Sequence, residues 1–184
     1  LHIGYDEAKR LNGLDPEKGP ISKLMNWAHE QSSQELNIIH IRDWHDPIDP
    51  AQRKHLDIFG DHCIHDTAGA DFVFDYNKGV KQEVVDSLGL NDFIGTRLEE
   101  VLEKYENETL KVGLVGVWTE AKVSFLAYDL ATRYPNFEVV ICSALCAGSS
   151  VVDHHTAIER SRKLLGLTVI NSIGKFTSYL TGNA

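Results

Sequence analysis

A carboxylate and two imidazoles form a candidate constellation in "RDWHD", residues 42–46, and the later run "GDHCIHDTAGADF", residues 60–72. Asp43 and His45 are two residues apart, so in an extended segment their side chains point the same way. With His62 they form an oxygen-and-nitrogen set suited to a zinc-like divalent metal that keeps positions open for water. His55 and His65 are weaker candidates for the same set. The competing role is structural: Asp43 caps a turn and the histidines are solvated.

A second group lies in "GVWTEAKVSF", residues 116–125, where an apolar run ends and a helix opens. Thr119 is placed to cap that helix, and Glu120 suits the positive end of its dipole. Lys122 does not suit it. Dipole and burial both favour the neutral amine and lower its pKa, unless a carboxylate stands opposite. A neutral buried lysine serves as a nucleophile or base, whereas a snorkelling one reaches water and does neither. Lys78, in "DYNKGVK", follows a predicted strand and could supply a cation at the mouth of a sheet. Near Lys122 it would lower that amine further. His154 and His155 are adjacent on a helix and do not share a face, which leaves capping to Asp153 and packing to one histidine. "GLVGVW" carries two glycines without the third that a dinucleotide loop needs.

The elements that must position these groups alternate between short apolar runs and helix-period segments, the pattern of an α/β fold with a largely parallel sheet. Strands are predicted at 1–5, 37–42, 71–75, 110–117, 137–143 and 167–171. "KVGLVGV" and "FEVVICSA" are apolar nearly throughout, as strands covered on both faces should be. Helices are predicted at 21–34, 93–105, 119–134, 153–165 and 172–180, with Gly166 as a stop after "RKLL". Residues 43–70 show no clear period. They read as a long irregular loop, and its Trp and His content favours function.

The chain has 184 residues, enough for one domain spanning 1–184 with a real core. A net charge of -9 argues against nucleic acid or an anionic membrane as partner. No stretch approaches the length of a membrane span, and no signal peptide is expected. Cys63, Cys142 and Cys146 lack a disulfide framework, and the Cys142–Cys146 spacing has no second half for zinc. Reduced thiols in a cytoplasmic protein are the expectation.

Taken in order, these segments resemble the isochorismatase-like family, which includes nicotinamidases and N-carbamoylsarcosine amidases. "RDWH" looks like the family's strand-end metal segment, and "HCIHDTAGADF" like its "HCvqgTpGAef" loop. "FIGTRLEEVL" is similar to the "F.gT.L...L" that follows the family's lysine. "VGVWTEAKV" resembles the nucleophile turn "GvatdvCV", and "HHTAIERSRKLLGLTVINS" the closing helix and strand. The resemblance covers residues 38–180. It implies a three-layer α/β sandwich with a mostly parallel sheet of about six strands and helices on both faces. It also implies an Asp–Lys–Cys triad, with a cis peptide shaping an oxyanion hole, in a protein commonly found as a homo-oligomer.

Carried over by position, the family lysine falls on Lys78, the cis bond on Val117–Trp118, and the metal ligands on Asp43, His45 and His62. The family cysteine falls on Lys122. Where the family reads "VVDxQxDF", this chain has "HIGYDEAKR", with Asp6 the nearest equivalent. Cys63 does not replace the missing thiol, because the matching loop cysteine in relatives is not the nucleophile. Family acyl-enzyme chemistry cannot run without a thiol. The resemblance therefore implies a small-molecule pocket at the strand ends that has lost cysteine hydrolysis, with Lys122 paired to Asp6 and Glu120. Three alternatives remain. One is a hydrolase of an amide or vinyl-ether bond that uses Lys122 or a metal-activated water; another is an ordinary amidase with a shifted alignment. The third is a plain nucleotide-binding domain, disfavoured by the missing glycine fingerprint.

Overall fold

Strands that are apolar at every position need cover on both faces, and the longest strand shows how this is met. In the computed structural model, which describes residues 19–72 and 82–182, strand β4 (Phe137–Ala147) is almost wholly buried. Val139 and Ile141 join one core cluster with Leu102, Leu114, Ala127, Leu130 and Ile158. Val140 and Cys142 face the other way, into a second cluster with Leu24, Leu145 and Phe176. Alternation along one strand thus feeds two cores.

The strands are β1 (Ile38–Asp43), β2 (Gln82–Ser87), β3 (Leu110–Val117), β4 and β5 (Thr168–Ile170). β1 pairs with β2, and β3–β4–β5 form a second sheet, all in parallel. The helices are α1 (Pro20–Glu30), α2 (Pro50–Phe59), α3 (Leu98–Glu103), α4 (Ser124–Arg133), α5 (Val151–Leu165) and α6 (Ile173–Thr181). α6 lies so close to β3 that a Cβ on Gly113 would sit 2.5 Å from Phe176 Cζ. Only glycine allows that approach.

The α/β class with parallel strands matches expectation, while the strand count differs. Among the described residues there are five strands in two sheets rather than six in one. The candidate at 1–5 lies outside the described residues. At 71–75, Asp71 and Phe72 are in no strand, and 73–75 lie outside the described residues. The strand beside β1 is instead β2, whose "QEVVDS" mixes apolar and acidic residues because its outer positions reach solvent.

The stretch 43–70 is not a structureless loop, for it contains α2. Asp49 caps that helix by accepting from the Ala51 N–H at 2.9 Å, Pro50 stands in its first turn, and Gly60 ends it at φ 78°. The helix expected at 93–105 is confined to Leu98–Glu103, and that at 119–134 divides into a π-helical turn, Thr119–Val123, and α4. Gly166 ends α5 in the left-handed conformation, as expected.

Candidate functional site

The site forms where β1, β2 and β3 end. Asp43 closes β1 and Ser87 closes β2, in register with each other. β3 reaches its end through a register shift between Leu114 and Gly116, and the Val117–Trp118 peptide bond that follows is cis. The π-helical turn then projects Lys122 back over the ends of β1 and β2.

The Lys122 ammonium donates to Asp43 Oδ1, Ser87 Oγ and the Gly89 carbonyl, each at 2.7 Å, and stands 2.8 Å from Asp92 Oδ1. Ser87 Oγ in turn donates to Asp92 Oδ1 at 2.7 Å. Burial opposes the charge, but the carboxylates of Asp43 and Asp92 outweigh it and hold the ammonium above the ordinary lysine value. The lowered pKa expected from the helix dipole is therefore reversed, because carboxylates do stand opposite.

Glu120 is not Lys122's partner. It accepts from the Ser149 N–H at 2.6 Å, against Gly148, where a Cβ would lie 2.6 Å from Glu120 Oε2. Thr119 does not cap the turn either. Its hydroxyl is buried against His154 Nδ1 at 2.8 Å. His154 packs as expected, while the cap of α5 is Ser150, which accepts from the Asp153 N–H at 3.1 Å.

Beside this knot stand His45, His55 and His62, whose candidate ligand atoms all lie within 4.8 Å of one another. His45 is completely buried. Its Nδ1 lies 3.2 Å from Gln52 Oε1. That oxygen also accepts from the Asp46 N–H, while the Gln52 amide group donates to Asp49 Oδ2 at 2.9 Å, which fixes the amide's orientation. Because Gln52 Oε1 can only accept, His45 Nδ1 carries the proton, and Nε2 presents a lone pair. His62 Nδ1 likewise donates to the Gly60 carbonyl at 2.7 Å, which turns Nε2 toward Asp43 Oδ2 at 3.9 Å.

Among the described residues, the buried Nε2 atoms of His45 and His55 have no hydrogen-bond partner. Burial lowers the pKa of both rings and favours the neutral form that binds metal. The donor set therefore fits a zinc-like ion, with His55 in the cluster and Asp43 engaged by Lys122. His65 turns elsewhere, 2.8 Å from Asp66 Oδ2.

A cavity of about 300 Å³ opens onto both groups, walled by Phe59, Leu90, Val117 and Trp118 and floored by Asp43, His55, His62 and Lys122. Phe59 and Trp118 meet edge to face at 6.3 Å. Cys63 also lines it, with its thiol pushed up by burial. Cys142 and Cys146 are buried in separate hydrophobic clusters. Asp6 and Lys78 lie outside the described residues. Sequence reasoning missed Ser87, Gly89, Asp92 and Gln52. Only Gln52 had a usable signal, on the helix bounded by Asp49–Pro50 and Gly60.

A profile of the isochorismatase domain family matches residues 18–173. No curated protein sequence matches the chain. Among solved structures, an isochorismatase-like hydrolase from Alkaliphilus metalliredigens is 19% identical with a TM-score of 0.72, covering 87% of this chain and 82% of that one. N-carbamoylsarcosine amidase from Thermoplasma acidophilum is 21% identical with a TM-score of 0.64, covering 82% and 79%. Pyrazinamidase of Pyrococcus horikoshii, solved in complex with zinc, is 26% identical with a TM-score of 0.64, covering 83% and 84%. Among the described residues, no helix is long and apolar enough to cross a membrane.

Proposed function

This chain belongs to the isochorismatase family, and from that premise we propose that it binds a small molecule at the strand ends without cysteine-nucleophile hydrolysis. In this reading Lys122 stands at the position of the family's cysteine. The observation that carries it is the ammonium's three hydrogen bonds, to Asp43, Ser87 and Gly89, together with its ion pair to Asp92. A lysine held charged by two carboxylates has no lone pair with which to attack a carbonyl. The apolar walls at Phe59 and Trp118 suit a flat ligand. The same reading makes the protein a cytoplasmic homo-oligomer, which light scattering on the purified protein tests. It also carries a sheet of about six strands, for which Leu1–Tyr5 is a further strand candidate, tested by amide exchange across those residues.

The deciding experiment is turnover against small amides and an isochorismate-type vinyl ether, comparing wild type, Lys122→Cys and Lys122→Met. Hydrolysis gained only by Lys122→Cys supports a binder with its nucleophile removed. Hydrolysis by wild type that Lys122→Met abolishes makes the lysine the catalyst and ends this reading.

A second reading, a metal-dependent hydrolase, is favoured by the unpartnered buried Nε2 atoms of His45 and His55. A divalent ion held by His45, His55 and His62 would supply Lewis-acid polarisation and a lowered pKa for water. Wild-type hydrolysis that persists in Lys122→Met but disappears with a chelator identifies this case; turnover unaffected by the chelator rejects it.

A further inference from the structure

The two clusters share one carboxylate, and its commitment has a consequence for metal binding. Asp43 gives Oδ1 to Lys122 at 2.7 Å, and its other oxygen faces His62 Nε2 at 3.9 Å. The Asp43, His45 and His62 set implied by resemblance would need that carboxylate as a ligand. Here it neutralises a buried ammonium, and the group whose ligand atoms converge is His45, His55 and His62. We propose that Lys122 withdraws Asp43 from the ligand set, so that a zinc-like ion is held by three histidines under electrostatic opposition from the ammonium. The inference rests on the reading of Lys122 as a fixed cation.

Three features support it. His55 Nε2 is buried without a partner among the described residues, as is His45 Nε2, whose lone pair is left exposed by the Gln52 contact at Nδ1. Gln52 and the Gly60 carbonyl hold the far nitrogens of His45 and His62, the usual second-sphere device for orienting metal-bound imidazoles. Nitrogens about 2.0–2.1 Å from one tetrahedral zinc stand about 3.4 Å apart, so modest ring rotations close the present cluster around an ion. Asp43 is anchored on Lys122 through Oδ1, so its other oxygen stays 3.9 Å from His62 Nε2 and outside the group whose ligand atoms converge.

The test titrates metal-free protein with Zn2+ in competition with a chromophoric chelator, and records visible spectra with Co2+ in its place. Wild type should bind one equivalent. His55→Ala should weaken binding by about 100-fold or more and lose the cobalt bands. Asp43→Asn should weaken binding by less than about tenfold through the lost charge alone, with the cobalt bands kept. Lys122→Met should tighten binding by about tenfold as the opposing charge goes. If Lys122→Met does not fold, Lys122→Met/Asp92→Asn, which removes a buried carboxylate along with the cation, takes its place. Cobalt bands lost in Asp43→Asn but retained in His55→Ala would overturn the proposal, as would absence of stoichiometric binding by wild type. Amide turnover through Lys122 would overturn only the reading of that residue as a fixed cation, since ligand identity is read from the cobalt spectrum.

Discussion

Two buried polar groups lie side by side in this protein, and one is closed while the other is open. Around Lys122, the ammonium's three hydrogen bonds go to Asp43, Ser87 and Gly89, and its ion pair with Asp92 is tied into the same knot by the Ser87 hydroxyl. In the histidine cluster, two buried nitrogens have no partner among the described residues. Buried polar atoms are ordinarily satisfied, because an unmade hydrogen bond costs the full desolvation of the group. The knot therefore reads as architecture, and the cluster as a place awaiting a ligand. This reverses the ranking by residue type alone, in which a lysine in a nucleophile-like turn is the more reactive-looking group.

The sharpest way to break the contrast is to remove the cation. Lys122→Met should cost about 3–5 kcal/mol in urea unfolding at neutral pH, since Asp43 and Asp92 are left facing each other without a counter-charge. Adding Asp92→Asn should recover part of the loss, giving a clear coupling energy in the double-mutant cycle. A loss below about 1 kcal/mol would mean that water replaces the ammonium and the knot is not closed.

The open cluster should respond to metal instead. Zinc at a hundredfold excess over its Kd should stabilise wild type by about 2.7 kcal/mol in the same unfolding assay. His45→Ala should show no such increment. If zinc stabilises both proteins equally, the ion is binding elsewhere. Gln52→Leu should lower zinc affinity by about 10–100-fold by releasing His45, a change read by chelator competition. Unchanged affinity would remove Gln52 from the argument.

Acid should also act on the buried histidines. Burial lowers the pKa of His40, His45 and His55, so in the folded state they resist protonation. Unfolded histidines take up protons near about pH 6.5. Below that value the unfolded state binds more protons, so stability of the metal-free protein should be full above it and fall on acidification. Urea midpoints measured from pH 8 downward would show this, and a flat profile would contradict it. The smallest effect belongs to His65, which lines neither cluster. His65→Ala should move stability by less than about 0.5 kcal/mol.

Much of the scaffold was legible because local rules produce it. β3 and β4 were readable as continuous apolar runs, and Gly166 as a stop that the left-handed backbone confirms. α2 was legible in principle from Asp49–Pro50 and Gly60, but its polar composition hid a helix whose inward face is only Gln52, His55, Leu56 and Phe59. β2 was missed for a different reason. Its six residues include Gln82, Glu83 and Asp86, the last exposed, so its apolar run is too short and too polar to stand out.

The sequence by itself determined the parallel α/β class, the strands β1, β3 and β4, and the local chemistry on offer at Asp43, His45, His62 and Lys122. These follow from periodicity, turn residues and side-chain type, which act over a few neighbouring positions. Only the tertiary structure decided who meets whom. Asp43 and Lys122 are 79 positions apart, yet they share a hydrogen bond because β1 and β3 end on the same edge of the fold. His55 enters the cluster through a helix, and Asp92 reaches the ammonium from a turn. Charge state, ligand readiness and burial depend on distances of a few ångströms, and no local pattern in the chain encodes those distances.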